Sequence, residues 1–533
     1  MNMNKNAIGA AAALSLWLGL ANPLCHIPWL ILLHPMALLF LGQSSPSGGK
    51  AFCRGWLAST LGWSGVLYWI AVPVHDFGAL PWTLAVPCAV LLSAYMAGFG
   101  GLFALLAHDA RRLSLPLLPQ AILLALGWYL LEWTRGWLFS GFAWTPLAAA
   151  FAPVPPLIQG ASILGAYGLG GIFAGLSCLA GLGLERGGRR GWAAFAAALA
   201  LFLGAWCAGS ASMGRQDLPG RTVDVLLVQG NINQDVKWSP AMQRATVRRY
   251  IELTQGALAR LDARGETAFA VWPETAMPFD AERERALVLP LKALAKSASV
   301  ELAFGAIGFD RASGKYLNRA NFISANGQEA GSYDKQHLVP FGEYAPPFLD
   351  FPFVESLFQA VGAFVPGREP AGPRMRAFDT GRGQAALVPG MLICYESIFP
   401  ELARQRVADG ADALVNISND AWFGRTSAPV QHLHTSLLRS VEFGRPLLRA
   451  TNTGISAFID ARGRIISQSP LFTAATLHAR IAPGSGRTAF FHLAPWMPGL
   501  AAALFAALWL PAWLHQRRRT PPQGTRSCSS SPN

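Results

Sequence analysis

Long apolar stretches separated by short polar segments fill the chain from its amino terminus to about residue 209. A segment that crosses the hydrocarbon of a bilayer needs about 20 mostly apolar residues, with roughly 17 as a practical minimum. The pattern therefore predicts seven membrane spans, followed by an eighth near the carboxyl terminus. These spans are Ala7–Ala21, Ile27–Leu41, Trp56–Val72, Leu80–Ala107, Leu115–Leu131, Leu157–Leu182, Trp192–Gly209 and Pro495–Leu514. The first two are short, and their ends are the least well defined by the pattern.

The first span has a second interpretation. Lys5, an apolar run and a Gly-Leu-Ala sequence ending at Ala21 also fit a cleaved signal peptide. Because another span follows within a few residues, we favour a retained membrane anchor.

Residues 222–483 follow a different pattern, in which strand-like apolar runs alternate with helical stretches. The predicted strands are Val223–Gln229, Phe269–Trp272, Glu301–Gly308, Asn318–Ser324, Ala385–Ile393, Ala413–Ile417, Leu447–Ala450 and Ser456–Ile459. The predicted helices are Ala241–Leu261, Ala281–Ser297, Pro400–Ala408 and Val430–Phe443. Such alternation argues for sheets covered by helices. We therefore predict a transmembrane domain over 1–221, an α/β domain over 222–483, an eighth helix within 484–516 and a disordered tail over 517–533.

Composition and charge placement support this division. Only 14% of the 533 residues are charged, against about 25% in soluble domains. The net charge of +13 does not indicate a nucleic-acid partner, because the basic residues are spread over short loops rather than gathered on one face. With the amino terminus in the cytoplasm, the short cytoplasmic segments hold Lys5, Lys50, Arg54, Arg111, Arg112, Arg186, Arg189, Arg190, Arg517, Arg518, Arg519 and Arg526. The opposite short loops hold Arg135 alone, so the positive-inside rule places the α/β domain outside the cytoplasm.

Of the seven cysteines, only Cys394 lies in the large polar region. The spacing of the seven matches neither a disulfide framework nor a zinc site, and the sequence suggests no cofactor or metal. A lone buried cysteine is most often an inert small hydrophobe. Whether this one is reactive depends on the groups that the fold brings beside it.

Three polar residues stand where predicted strands end, and together they suggest thiol chemistry. Glu274 and Cys394 each close an apolar strand, and Lys335 lies in a polar segment between them; strand ends in layered α/β folds converge on one site. A free thiol titrates near pH 8.5, so a carboxylate is needed to take its proton and an ammonium to favour the thiolate. The lysine, with the backbone N–H of Tyr395, can then meet the oxyanion of a tetrahedral intermediate.

Each of these residues also has a simpler interpretation when taken alone. Glu274 can cap the following helix, and Lys335 can be a solvated surface charge. His337 is an alternative thiol base. On an extended strand, however, its side chain points in the opposite direction from that of Lys335's neighbour. His432 and His434 are two residues apart on a predicted helix and do not share a face, which argues against a metal site.

The motifs around the three residues resemble those of a known family. Val271-Trp-Pro-Glu274, Asp334-Lys-Gln-His-Leu-Val-Pro-Phe-Gly-Glu343 and Cys394-Tyr-Glu396 are similar to the Glu-Lys-Cys elements of the nitrilase superfamily. With seven spans before them and one after, they resemble the bacterial apolipoprotein N-acyltransferases. Asn416-Ile-Ser-Asn-Asp-Ala-Trp-Phe-Gly424 and Thr451-Asn-Thr-Gly454 also resemble that family, and the resemblance extends over the whole chain except the tail.

The resemblance implies a nitrilase-like αββα sandwich inserted between transmembrane helices 7 and 8 of an eight-helix membrane domain. It also implies transfer of a fatty acyl chain from a membrane phospholipid, typically phosphatidylethanolamine, through a cysteine thioester. The acceptor would be the α-amino group of an apolipoprotein's diacylglyceryl-cysteine, in the last step of lipoprotein maturation. We expect a monomer in the bacterial inner membrane, with its catalytic domain in the periplasm.

The same resemblance assigns roles to individual residues. Glu274 would be the base, Lys335 the oxyanion partner and Cys394 the nucleophile. Glu343 would orient Lys335 or assist proton transfer, although a purely structural ion pair is an alternative. The family positions matched around the site are Trp238, Tyr395 and Glu396.

An aromatic-rich segment suggests how lipid reaches the site. Val339–Val365 contains Phe341, Phe348, Phe351, Phe353, Phe358 and Phe364, and we expect it to dip into the membrane interface. Trp238, Trp422 and Phe423 are candidates for a mobile cover.

Two other functions remain possible from the sequence. One is a membrane-tethered amidase or nitrilase-type hydrolase, in which water replaces the amine; eight spans exceed what a tether requires. The other is a transporter or scaffold carrying an inactive enzyme domain, but the spans hold almost no ionisable residues beyond Glu132 and Arg135.

Overall fold

The computed structural model describes residues 4–113, 115–214, 221–260, 268–311, 314–344 and 387–519. The amino-terminal part is helical, and each predicted span coincides with a helix or a pair of helices. The α-helices here are α1 (Lys5–Gly19), α2 (Leu33–Gln43), α3 (Gly48–Val66), α4 (Ala71–Asp76), α5 (Trp82–Arg112), α6 (Leu117–Arg135), α7 (Pro155–Ile158), α8 (Ala161–Arg186) and α9 (Gly188–Met213). Short 3-10 helices cover Pro28–Leu32, Tyr68–Ile70, Leu138–Ser140 and Leu147–Phe151.

The described helices that are long and apolar enough to cross a membrane are fewer than the eight spans predicted from the sequence. Among the described residues, α5, α6, α8, α9 and the last helix, α16 (Met497–Arg519), are long and apolar enough to cross a bilayer. Gly48–Val66 and Tyr68–Asp76 meet at a bend of 59° and together make a sixth candidate. α1 has 15 residues, and Pro28–Gln43 is also short. A multi-pass membrane region is therefore evident, whereas the count of eight stays a prediction.

The rest of the described chain forms an α/β domain with two sheets. Its strands are β1 (Val223–Gln229), β2 (Ala268–Val271), β3 (Met277–Asp280), β4 (Val300–Asp310), β5 (Lys315–Ile323), β6 (Glu329–Asp334), β7 (Pro389–Ile393), β8 (Ala413–Ser418), β9 (Leu447–Thr451), β10 (Ala457–Ile459), β11 (Ile465–Gln468) and β12 (Ala475–Ile481). One sheet has the order β12-β1-β2-β4-β5-β6, with β3 paired to β4; the other has the order β11-β10-β9-β8-β7. The pairs β1–β2, β2–β4, β7–β8 and β8–β9 are parallel.

The two sheets pack face to face, and helices cover their outer surfaces. Val225 and Val271 of the first sheet share a buried cluster with Val415 and Leu448 of the second. The helices of this domain are α10 (Gln234–Lys237), α11 (Pro240–Leu258), α12 (Arg285–Ser297), α13 (Pro400–Ala408), α14 (Ala428–Phe443) and α15 (Ala489–Leu493). α11 and α12 lie on the first sheet and α13 and α14 on the second. The predicted αββα sandwich is confirmed.

The helix α14 also joins the sandwich to the membrane helices through a buried amide. The Oε1 of Gln431 accepts hydrogen bonds from the indole N–H groups of Trp69 and Trp144 at 3.0 and 2.8 Å. Its Nε2 donates to the carbonyls of Ala21 and Val66 at 2.7 and 3.0 Å. Since buried polar groups are costly when unpaired, these four bonds fix the position of α14 against the membrane helices.

A break in α8 makes a second connection. Gly165 has φ +68, a conformation that glycine adopts without a Cβ penalty. Just after the break, the Ala166 N–H donates to Glu442 of α14 at 2.7 Å. The glycine thus allows a membrane helix to offer a backbone donor to the α/β domain.

Candidate active site

The three predicted chemical groups lie where strands of both sheets end. Glu274 stands three residues beyond β2, Lys335 directly follows β6, and Cys394 directly follows β7. All three residues are buried, and Cys394 is in electrostatic contact with both Glu274 and Lys335. The structure therefore brings the three predicted groups into one cluster.

Cys394 occupies a strained turn between β7 and the 3-10 helix Cys394–Ile398. Its φ of +52 lies in the left-handed region, which non-glycine residues rarely adopt and which is concentrated at functional sites. Its carbonyl accepts hydrogen bonds from Ser397 Oγ at 3.0 Å and Asn416 Nδ2 at 3.3 Å. The turn presents the Cys394 thiol at a strand end, with the geometry of a nucleophile elbow.

Lys335 is a buried cation shared by two carboxylates. Its Nζ lies 2.8 Å from Glu343 Oε1 and 3.5 Å from Glu274 Oε1. Burial alone lowers the pKa of Lys335, but the attraction of Glu343 and then Glu274 outweighs burial, and the net pKa is raised. Lys335 is therefore an ammonium throughout the physiological range.

Glu274 is held on both of its oxygens. Oε1 accepts from Asn318 Nδ2 at 2.6 Å, and Oε2 accepts from the backbone N–H of Asn419 at 2.8 Å. Its loop lies against Gly305 of β4, where an added Cβ would stand 2.7 Å from the Glu274 Cα. Because that distance leaves no room for a side chain, a glycine is required at position 305 for the loop to sit here.

The surroundings of Cys394 disfavour the thiolate form of its side chain. Burial, and then the charge of Glu274, raise the pKa of Cys394 well above its usual range, and Lys335 only partly opposes them. The lysine alone does not make a thiolate here, so a base must take the proton as the sulfur attacks. Glu274 lies close enough for its charge to act on the thiol, and hydrogen bonds fix both of its oxygens.

Glu343 joins Lys335 to the turn that follows it. One carboxylate oxygen contacts Lys335 Nζ, and the other accepts from the backbone N–H of Val339 at 2.8 Å. Asn318 Nδ2 also reaches Glu343, at 3.2 Å. This geometry suits a residue that orients the lysine.

Tyr395 and Glu396 lie behind the nucleophile. The Tyr395 hydroxyl donates to the Gly141 carbonyl of the membrane part at 3.0 Å. Glu396 is fully buried and accepts from the backbone N–H groups of Ile393 and Gln336 at 2.7 and 2.6 Å. The tyrosine thus ties the elbow to the membrane helices, and the glutamate ties it to the segment after Lys335.

The predicted aromatic cover is found in two environments. Phe341, Trp238 and Trp422 are 55%, 46% and 37% exposed. Phe423 instead packs between the membrane-domain rings of Trp69 and Trp144, at centroid distances of 4.9 and 6.0 Å. A mobile cover stays a prediction, and residues 345–365 of the aromatic-rich segment lie outside the described residues.

The two alternatives based on histidine find no support in the geometry. The ring of His337 lies 4.0 Å from that of Phe399, and burial lowers its pKa to about 4. His432 Nδ1 lies 3.3 Å from Asp420 and 3.0 Å from Arg449. In the part of the chain that the structure describes, no group of three His, Cys, Asp or Glu residues could hold a metal ion.

Several polar residues of the site had no role assigned from the sequence, although Ser418 and Asp420 lie in a motif that resembles the family. Asn318 bridges two carboxylates, Ser418 reaches the thiol, and Asp420 pairs with Arg449 at 2.8 Å behind it. The run Asn416-Ile-Ser-Asn-Asp420 at the end of β8 carried a signal, because polar side chains interrupt a buried strand there. Nothing in the sequence singled out Asn318.

A thiol, a carboxylate and an ammonium held between two sheets and built onto apolar helices define a membrane-bound enzyme of the carbon-nitrogen hydrolase class. The carbon-nitrogen hydrolase family model matches residues 225–489, and the model of the apolipoprotein N-acyltransferase N-terminal domain matches residues 12–179. Among solved structures, Saccharomyces cerevisiae Nit3 of the nitrilase superfamily aligns at 18% identity and a TM-score of 0.35, covering 58% of this chain and 100% of that one.

Curated relatives match over nearly the whole length. The apolipoprotein N-acyltransferase of Geobacter metallireducens is 38% identical over 488 residues, which cover 88% of this chain and 89% of the relative. That of Pseudomonas aeruginosa is 32% identical over 509 residues, covering 93% and 94%. The chain therefore belongs to the apolipoprotein N-acyltransferase family, and the expectation from its motifs is confirmed.

Proposed function

We propose that Glu274, Lys335 and Cys394 carry out acyl transfer from a phospholipid to an apolipoprotein through a thioester on Cys394. The observation that carries this proposal is the buried cluster of the three groups at converging strand ends. Phosphatidylethanolamine is the expected donor. The energetics require no ATP, since an ester is exchanged for a thioester and the thioester is then converted to a more stable amide.

In the first half-reaction the thiol proton passes to Glu274 as the sulfur attacks the ester carbonyl of the donor. The carbonyl oxygen becomes an oxyanion, which Lys335 Nζ and the Tyr395 N–H stabilise. When the intermediate collapses, the C–O bond to glycerol breaks and Glu274 returns its proton to the leaving oxygen. A lysophospholipid departs, and the acyl chain remains on Cys394.

In the second half-reaction the neutral α-amino group of the diacylglyceryl-cysteine attacks the thioester. Glu274 takes a proton from the nitrogen. As the C–S bond breaks, Glu274 passes this proton to the leaving sulfur of Cys394. Splitting the transfer into two steps predicts ping-pong kinetics. Glu343 acts by holding Lys335 against the site.

The position in the membrane is part of the proposal. The basic residues of the short loops favour a cytoplasmic amino terminus, and on that basis we propose that the α/β domain lies on the periplasmic side of the inner membrane. The predicted boundaries at 221, 483 and 516 and the monomeric state belong to the same proposal.

Intact mass spectrometry of the purified protein after exposure to phosphatidylethanolamine tests the mechanism. The expected result is an acyl adduct on Cys394 that hydroxylamine removes and that is absent from Cys394→Ala. Addition of a diacylglyceryl lipopeptide should then convert the adduct into N-acylated peptide. Free fatty acid without amide product would instead indicate a hydrolase, and full activity of Cys394→Ala would refute the thioester.

A further inference from the structure

Lys237 is a buried cation that takes no direct part in the proposed acyl transfer. Its side chain is only 1% exposed, and its Nζ has no hydrogen-bond partner among the described residues. Burying an ammonium without a partner is costly, so such a group in a native structure calls for an explanation.

The position of Lys237 connects it to the proposed base. Lys237 ends the single-turn helix α10, whose Gln234 accepts a hydrogen bond from Asn419 Nδ2 at 2.8 Å. The backbone N–H of the same Asn419 donates to Glu274 Oε2. The charge of Glu274 acts directly on the Lys237 ammonium. The helix that carries Lys237 is thus linked through Asn419 to Glu274 Oε2, whereas Lys335 contacts Oε1.

Lys335 does not serve Glu274 alone, because two carboxylates share its ammonium. Glu274 and Glu343 both contact its Nζ and both accept from Asn318. Two carboxylates at one site favour protonation of one of them. A protonated Glu274 would be unable to accept the thiol proton.

The other charged groups near the thiol are already balanced. Asp420 is paired with Arg449, beside a His432 whose pKa is lowered by burial and then by Arg449. Glu396 is served by backbone N–H groups. These groups offer Glu274 no further positive charge.

We propose that Lys237 is a positioning residue whose ammonium keeps Glu274 ionised in the resting enzyme, so that Glu274 can accept the proton of Cys394. The inference rests on the proposed roles of Glu274 and Cys394. Burial lowers the pKa of Lys237 to about 8, although Glu274 opposes it. Lys237 is therefore a cation at neutral and acidic pH.

Alkylation of Cys394 by iodoacetamide in the absence of lipid tests this role. The full-length protein in detergent is sampled between pH 5 and 9, and the Cys394 peptide is followed by mass spectrometry, so that the other cysteines do not contribute. In the unaltered protein the rate should fall on the acid side as Glu274 takes up a proton. Lys237→Met should move this acid limb to higher pH by about one unit, and Lys237→Arg should leave it in place.

Glu274→Gln separates the two levels of the argument. If it leaves the acid limb unchanged, Glu274 is not the base and the proposed mechanism fails. If it abolishes the limb while Lys237→Met leaves it in place, only the role of Lys237 is overturned. If Lys237→Met loses phospholipid turnover without a shift of the acid limb, the proposed role of Lys237 is also overturned. That result would indicate that Lys237 helps to bind the phospholipid donor. Should Lys237→Met fail to fold, Lys237→Gln is used with the same criteria.

Discussion

Replacement of Glu396 by glutamine should damage the site although Glu396 is outside the proposed triad. Its fully buried carboxylate accepts hydrogen bonds from the backbone N–H groups of Ile393, Gln336 and His337 and from the hydroxyl of Tyr333, at 2.6 to 3.1 Å. Ile393 precedes the nucleophile, and Gln336 follows the lysine. One carboxylate therefore holds Cys394 and Lys335 at a fixed separation.

The expected cost follows from the geometry of the two oxygens. Oε2 accepts from the Ile393 N–H, and the Tyr333 hydroxyl can turn to Oε1. A glutamine with its Nε2 in place of Oε2 sets a donor against the Ile393 N–H. One charge-assisted bond is lost and one buried donor is left unpaired, which together cost about 2–4 kcal/mol of unfolding free energy. A displacement of the Cys394 turn by about 1 Å can reduce the rate of acyl transfer about 100-fold.

The assay combines thermal unfolding in detergent with initial rates of acyl transfer to a fluorescent lipopeptide. We expect Glu396→Gln to lower kcat about 10- to 100-fold with little change in KM. Tyr333→Phe is the matched control: it removes one donor, leaves three N–H bonds to the carboxylate, and should cost about 1 kcal/mol with a rate within a few-fold. Full activity of folded Glu396→Gln, or an equal loss in Tyr333→Phe, would show that Glu396 does not hold Cys394 and Lys335 in place.

Three further predictions concern other parts of the structure. Cys394→Ser should abolish transfer to the amine, because an oxygen ester is a poorer acyl donor than a thioester; intact mass spectrometry should show an acyl adduct that persists, or none. Gly305→Ala should lower activity at least 10-fold in a folded protein, as the Cβ displaces the Glu274 backbone; normal rates would contradict this. Burial raises the pKa of Glu442 from 4.5 to about 7, although the attraction of Arg439 opposes this. The folded state therefore binds this proton more tightly than the unfolded state does. The resulting stabilisation is complete below pH 4.5 and is lost as the pH rises through 7. Melting temperatures from pH 5 to 8 should fall in the unaltered protein and fall less in Glu442→Gln.

The fold was predictable where burial imposes a strong pattern. β1 was predicted with its observed ends, because Val223–Gln229 is buried along nearly its whole length. β6, β11 and β12 were missed because they are largely exposed or half-buried and carry polar residues. β3 was missed although it is buried, because it has only four residues. The single turn of α10 is too short for any periodicity to reveal. Edge strands and isolated turns depend on their neighbours, which the local sequence does not describe.

The pattern of apolar and polar positions was most informative for site residues that close apolar strands. Glu274 and Cys394 each follow a buried run, so their polarity stands out, and the structure brings them together with Lys335. Lys237 lacked such a context, because its burial results from the packing of a one-turn helix on a distant loop. Its electrostatic interaction with Glu274 depends on three-dimensional packing rather than on spacing along the chain.

The link between the nucleophile and the membrane helices gives the architecture a chemical meaning. Tyr395, the residue after the nucleophile, donates to the Gly141 carbonyl, and the neighbouring Ser140 contacts the Tyr344 hydroxyl at 2.7 Å. The same membrane segment thus touches both the elbow and the turn that follows Lys335. A water-soluble amidase has no need of such contacts. An enzyme that takes an acyl chain from a lipid does, because its sulfur must stay at a fixed height relative to the bilayer, where the donor ester lies.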